Sequence, residues 1–133
     1  MITKTVTYTD YNGVERTEHF QFNLSKAEVT EMEMSTKGGL AEMIQRLIEE
    51  EDHPKIIKIF KDLVLKSYGE KSLDGKRFIK SPEMSEAFSQ TEAYSEIFME
   101  LATDADAASK FVEGIMPADL VAQVDKSALP KLS

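Results

Sequence analysis

A chain of 133 residues, 41% of them hydrophobic, suffices for one domain whose core folds without covalent staples. It has no cysteine, which excludes disulfides and thiolate metal sites, and its net charge of -8 argues against the basic footprint of a nucleic-acid binder. The first ten residues carry no apolar signal core and no apolar run reaches membrane-spanning length, so a soluble, non-exported protein is expected.

The first element is a hairpin. Residues 3–10 are rich in Thr, Val and Tyr, residues 14–22 alternate Val14, Arg16, Glu18, Phe20 and Phe22, and Asn12-Gly13 lies between them. A two-residue turn would place Val6 and Tyr8 on the face opposite Phe20 and Phe22. A three-residue loop, Tyr11-Asn12-Gly13 with Gly13 left-handed, pairs Asp10 with Val14 and gathers Ile2, Val6, Tyr8, Phe20 and Phe22 on one face. The three-residue loop is preferred, with Phe20 and Phe22 packing beside Val6 on the rest of the domain.

Beyond Phe22 the apolar period becomes helical. Ser25-Lys26-Ala27-Glu28 is a capping box for a short helix ending near Ser35 to Gly39. Leu40, Met43, Ile44, Leu47 and Ile48 mark an amphipathic helix that runs into the acidic stretch Glu49 to Asp52. Asp52 or His53 can then cap a helix with Pro54 in its first turn and a stripe of Ile56, Ile57, Phe60, Leu63 and Val64. Ile59 and Leu65 widen that stripe, which predicts burial on two sides, and the helix is expected to run to Tyr68 and stop at Gly69.

Further helices are expected over 82–90 behind Ser81, over 92–103, over 105–115 behind Asp104, and over 117–124. The last nine residues have no periodicity and read as a flexible tail. The predicted architecture is α+β: a mainly helical single domain over 1–124, about five to six helices, with an N-terminal β-hairpin over 3–22.

No catalytic constellation emerges. His19 lies mid-strand and reads as a surface residue. Glu49 and His53 have helical metal-ligand spacing, but Pro54 breaks the helix there and no third ligand is evident. Asp104-Ala105-Asp106 resembles the start of a calcium loop without its glycine and glutamate, and a helix cap explains it better. No metal site and no cofactor are expected.

Charge is distributed in blocks. Residues 1–52 carry a net -6, residues 53–80 a net +5 and residues 81–125 a net -9. Such blocks either meet within the fold or are set to meet those of a neighbour. The stretch 66–83, KSYGEKSLDGKRFIKSPE, reads as a loop with unusual apolar weight. Either Phe78 and Ile79 plug the body as a short strand, or Lys76, Arg77 and Lys80 present positive charge around Phe78 as a binding loop.

From residue 65 to 117 the chain resembles the tail assembly chaperones of long-tailed bacteriophages. The resemblance is carried by Tyr68-Gly69, by Gly75-Lys76-Arg77-Phe78, by Thr91-Glu92-Ala93-Tyr94 followed by Phe98-Met99-Glu100-Leu101, and by the segment from Phe111 to Pro117. With the upstream hairpin and Gly38-Gly39-Leu40 it extends over roughly residues 3 to 122. It implies a non-enzymatic protein of the host bacterial cytoplasm, absent from the mature virion. Such a protein keeps the tape measure protein soluble and promotes assembly of the tail tube protein around it. Self-association into oligomers is also expected, from the charge blocks. The alternative is a small acidic adaptor unrelated to tails. The client is expected in a groove between the helix carrying Tyr94, Phe98 and Met99 and the helix carrying Phe111 and Met116. Phe78 would close one end, with Lys76, Arg77 and Lys80 at the rim.

Overall fold

The structure is a computed structural model that describes residues 1–35 and 53–117. Two strands, β1 (Ile2–Thr9) and β2 (Glu15–Phe22), pair antiparallel in the register from Ile2↔Phe22 to Thr9↔Glu15. The turn is the three-residue form. Asp10 N donates to Val14 O at 2.9 Å, Gly13 N donates to Asp10 O at 3.0 Å, and Gly13 has φ +79°. The Asp10 carboxylate also accepts from Asn12 N, Val14 N and Arg16 Nε at 2.6–2.9 Å. These bonds, the one from Arg16 foremost, hold its pKa below the ordinary carboxylate value. Ile2, Val6, Tyr8, Phe20 and Phe22 therefore share a face, with Phe22 fully buried and Phe20 only half-buried.

After β2 the backbone is used rather than left open. Asn23 N donates to Ser67 O and Leu24 N to Ile115 O, both at 2.8 Å, so this crossing ties two helix ends together. Helix α1 (Lys26–Ser35) starts with the expected capping box: Glu28 N donates to Ser25 Oγ at 3.1 Å and Ser25 N to Glu28 Oε1 at 2.9 Å. It buries no residue, and Val29 and Met32 only lean on the core. The amphipathic helix expected from Leu40 to Ile48 and its acidic end fall outside the described residues.

Helix α2 (His53–Ser67) sinks Phe60, Leu63 and Val64, while Ile57 stays 44% exposed. Its wide stripe is thus not buried on both sides. The helix also ends one residue early. Tyr68 opens a strand, β3 (Tyr68–Lys71), which pairs with β2 through Gln21↔Gly69 and Phe22↔Tyr68. The reason lies at Gly69. A Cβ there would stand 2.6 Å from the Phe78 ring and 2.7 Å from Ile79 O, so this glycine admits β4 (Phe78–Ile79) rather than stopping a helix. All four strands form one antiparallel sheet in the order β1-β2-β3-β4.

Three capped helices close the domain. Ser81 caps α3 (Pro82–Ser89), Thr91 caps α4 (Glu92–Thr103), and Asp104 caps α5 (Ala105–Ile115), each side chain accepting from backbone N–H groups of its first turn. β1 packs on α4 and α5, and α5 comes close enough that a Cβ on Gly114 would lie 2.9 Å from Ile2 Cδ1. The core gathers Phe22 and Leu24 with Leu63, Val64, Phe88, Ile97, Leu101, Phe111 and Ile115. The fold is α+β, with five helices among the described residues. Past Pro117, the expected last helix and the tail lie outside them.

Candidate partner surface

Among the described residues no group of three or more His, Cys, Asp or Glu could hold a metal ion, and no helix is long and apolar enough to cross a membrane. His19 lies on the exposed face of the hairpin, its Nδ1 2.8 Å from Thr5 Oγ1. Asp104 spends its carboxylate on Asp106 N and Ala107 N, as a helix cap does. Glu49, weighed as a metal ligand with His53, lies outside the described residues.

The stretch of unusual apolar weight is a hairpin, and its apolar side chains divide between two uses. Tyr68 stacks on Phe88 at 4.1 Å between ring centroids, and burial raises its pKa. Phe78 and Ile79 are half-buried in β4. Leu73, in contrast, is 109% exposed. The turn beneath it is built from short-range bonds. Ser72 N donates to Arg77 O and Gly75 N to Ser72 O, both at 2.9 Å, with Gly75 at φ +74°. Ser72 Oγ donates to Asp74 Oδ1 at 2.7 Å, and that carboxylate also accepts from Lys76 N at 3.0 Å. Asp74 is held below its ordinary pKa by these bonds, Ser72 first.

Lys80 is not a rim cation. Its ammonium donates to Glu28 Oε1 and Oε2 at 2.9 and 2.7 Å and to Asn23 O at 2.6 Å, and it lies 5.6 Å from the centroid of the Phe78 ring. Burial pushes the Glu28 carboxyl up, but the hydrogen bonds from Lys80 and Ser25 and the Lys80 charge outweigh it, and the net pKa is lowered. Lys80 therefore clips α1 to β4. Sequence reasoning missed this pairing because the two residues are 52 positions apart and neither belongs to a motif that names the other.

On α4 the predicted residues separate. Tyr94 and Phe98 are half-buried and continue an aromatic series outward from the core: Phe111 to Phe22 at 5.3 Å, Phe22 to Phe88 at 5.9 Å, Phe88 to Tyr94 at 5.6 Å and Tyr94 to Phe98 at 5.9 Å. Met99 is 55% exposed and turned about 140° from Tyr94 around the helix. Phe111 belongs to the core at 1% exposure, and Met116 is half-buried just past α5. The expected groove between α4 and α5 is instead a filled seam of Ile97, Leu101, Ala108 and Phe111. The spacing of Phe111 could not show this, because an apolar stripe looks the same whether it faces a partner or its own sheet.

The Lys80–Glu28 pair joins the basic middle to the acidic start, while Lys58, Lys61, Lys66, Lys71, Lys76 and Arg77 form no ion pair among the described residues. The acidic end is nearly as open, with Glu100 bonded to Lys4 and Asp106 facing Lys110 at 3.5 Å.

A family model described as phage tail assembly chaperone matches residues 1–133. Comparisons with curated proteins and with solved structures give no match.

Proposed function

The chain belongs to the phage tail assembly chaperones, and from that premise we propose that its client is the tape measure protein. It keeps this long helical protein soluble while the tail tube protein assembles around it. It acts without catalysis in the host cytoplasm, is left out of the finished virion, and self-associates. The family match over the whole chain carries this reading. The surface supports it. Met34, Ile57, Leu73 and Met99 are large apolar side chains left exposed, the kind of surface that takes an apolar partner.

The client contact we propose is the Tyr94–Phe98 edge of α4. Its rings are half-buried and supported from beneath by Phe88, which is 3% exposed, so an amphipathic helix laid there meets a preformed apolar strip. Phe111 supports the core under this strip, and Met116 lies at the end of the neighbouring helix. Co-production with the tape measure protein of the same phage tests the assignment. Wild type should keep the client in the soluble fraction, and Phe98→Glu should release it while the variant itself stays folded. A client that stays soluble with folded Phe98→Glu moves the contact elsewhere. A client that precipitates with wild type removes the tape measure reading.

A further inference from the structure

The tip of the β3–β4 hairpin has a composition that the fold does not use. Leu73 is 109% exposed on a turn whose polar groups are already bonded to one another. Around it stand Lys71, Lys76 and Arg77, none of them in an ion pair among the described residues. A leucine held out on an ordered turn loses little freedom when it is covered, and the cations about it favour an acidic partner.

The complementary surface is on the same molecule. Met99 is 55% exposed on the outer face of α4, with Glu96 and Glu92 one and two turns before it on that side. Tyr11, 76% exposed, lies near Glu92, whose carboxylate raises the Tyr11 pKa. The β3–β4 tip thus shows an apolar knob rimmed with positive charge, and the outer face of α4 shows exposed apolar surface beside negative charge.

We infer that the β3–β4 tip of one copy docks on the α4 outer face of a second copy. Leu73 covers Met99 and Tyr11, while Lys76 and Arg77 face Glu96 and Glu92. Because knob and patch are different surfaces, the contact is heterologous: a docked pair keeps one free knob and one free patch, so the assembly grows. This inference rests on the self-association proposed above and gives it an interface. It also separates the two surfaces of α4, the Tyr94–Phe98 edge for client and the Met99 face for the next copy.

Two exposed-surface variants and their mixture test it by sedimentation velocity at low salt. The tip variant carries Leu73→Asp and Arg77→Glu; the face variant carries Met99→Lys and Glu96→Lys. Wild type should gain mass with concentration, and each variant alone should be monomeric. An equimolar mixture should form a dimer and nothing larger, since the tip variant retains an intact face and the face variant an intact tip. A mixture that stays monomeric overturns the inference, as does a variant that assembles like wild type. Leu73 is fully exposed, so the tip variant remains decisive even if the face variant is unstable. Wild type that shows one mass at every concentration removes the self-association reading itself, whereas assembly untouched by either variant leaves that reading standing and removes only this interface.

Discussion

Truncating Phe22 to alanine examines the joint on which sheet and helices depend. The ring is 0% exposed and lies 5.3 Å from Phe111 and 5.9 Å from both Tyr68 and Phe88, centroid to centroid. A buried Phe→Ala change costs about 3–5 kcal/mol, with the upper end reached where the surroundings cannot close on the cavity. They cannot close here, because β2 is pinned by β1 on one side and β3 on the other, and Asn23 and Leu24 are bonded to two helix ends. We expect about 4–5 kcal/mol, a large share of the stability of a domain whose total lies in the range of roughly 5–15 kcal/mol. Phe20→Ala, at a half-buried ring on the same strand, should cost about 2 kcal/mol on the area it covers. Urea unfolding followed by circular dichroism gives both differences, provided the slopes match wild type. Equal losses for the two variants, or a loss below about 2 kcal/mol at Phe22, would refute the packing described.

Gly69→Ala should cost roughly 1–3 kcal/mol, because its Cβ would meet the Ile79 carbonyl at 2.7 Å and force β4 away; thermal melts that leave this variant at the wild-type midpoint contradict the close approach. At Gly75, where nothing lies within 4 Å of a Cβ but φ is +74°, alanine should cost about 1 kcal/mol of backbone strain alone, measured in the same melts. Glu28→Gln should lose stability relative to wild type at neutral pH by removing the charge that Lys80 meets. The folded pKa of Glu28 is lowered from 4.5, so this stabilisation is fully present above about that pH and disappears as pH falls through the folded value. Urea midpoints of the two proteins should therefore converge on acidification below pH 4.5, and a constant gap would place the stabilisation elsewhere.

Local signals in the sequence are legible where one short stretch decides the outcome. The capping box at Ser25 and the caps at Ser81 and Asp104 start helices where expected, since a cap is read from a few neighbouring residues. The hairpin register follows from requiring Val6 and Phe22 to share a face. Long-range decisions are not legible. Tyr68-Gly69 fits a helix end as well as it fits a strand, and only the approach of β4 decides between them. Asp74-Gly75 is the available hint, for this dipeptide favours a hairpin turn and so implies strands on both sides. Among the site residues, Phe111 and Lys80 are misplaced by sequence for the same reason: periodicity and charge show that a side chain seeks a partner but not whether the partner is in the same chain. Lys76, Arg77 and Met99 are expected at the surface, and the structure leaves them there.

The claim that this protein holds an aggregation-prone helical client is tested most directly by diluting denatured tape measure protein into buffer with rising amounts of the chaperone and measuring what stays in the supernatant after centrifugation. The account predicts that the soluble fraction rises and saturates at a fixed ratio, and that Phe98→Glu abolishes the rise. A tape measure protein that precipitates to the same extent at every chaperone concentration contradicts it.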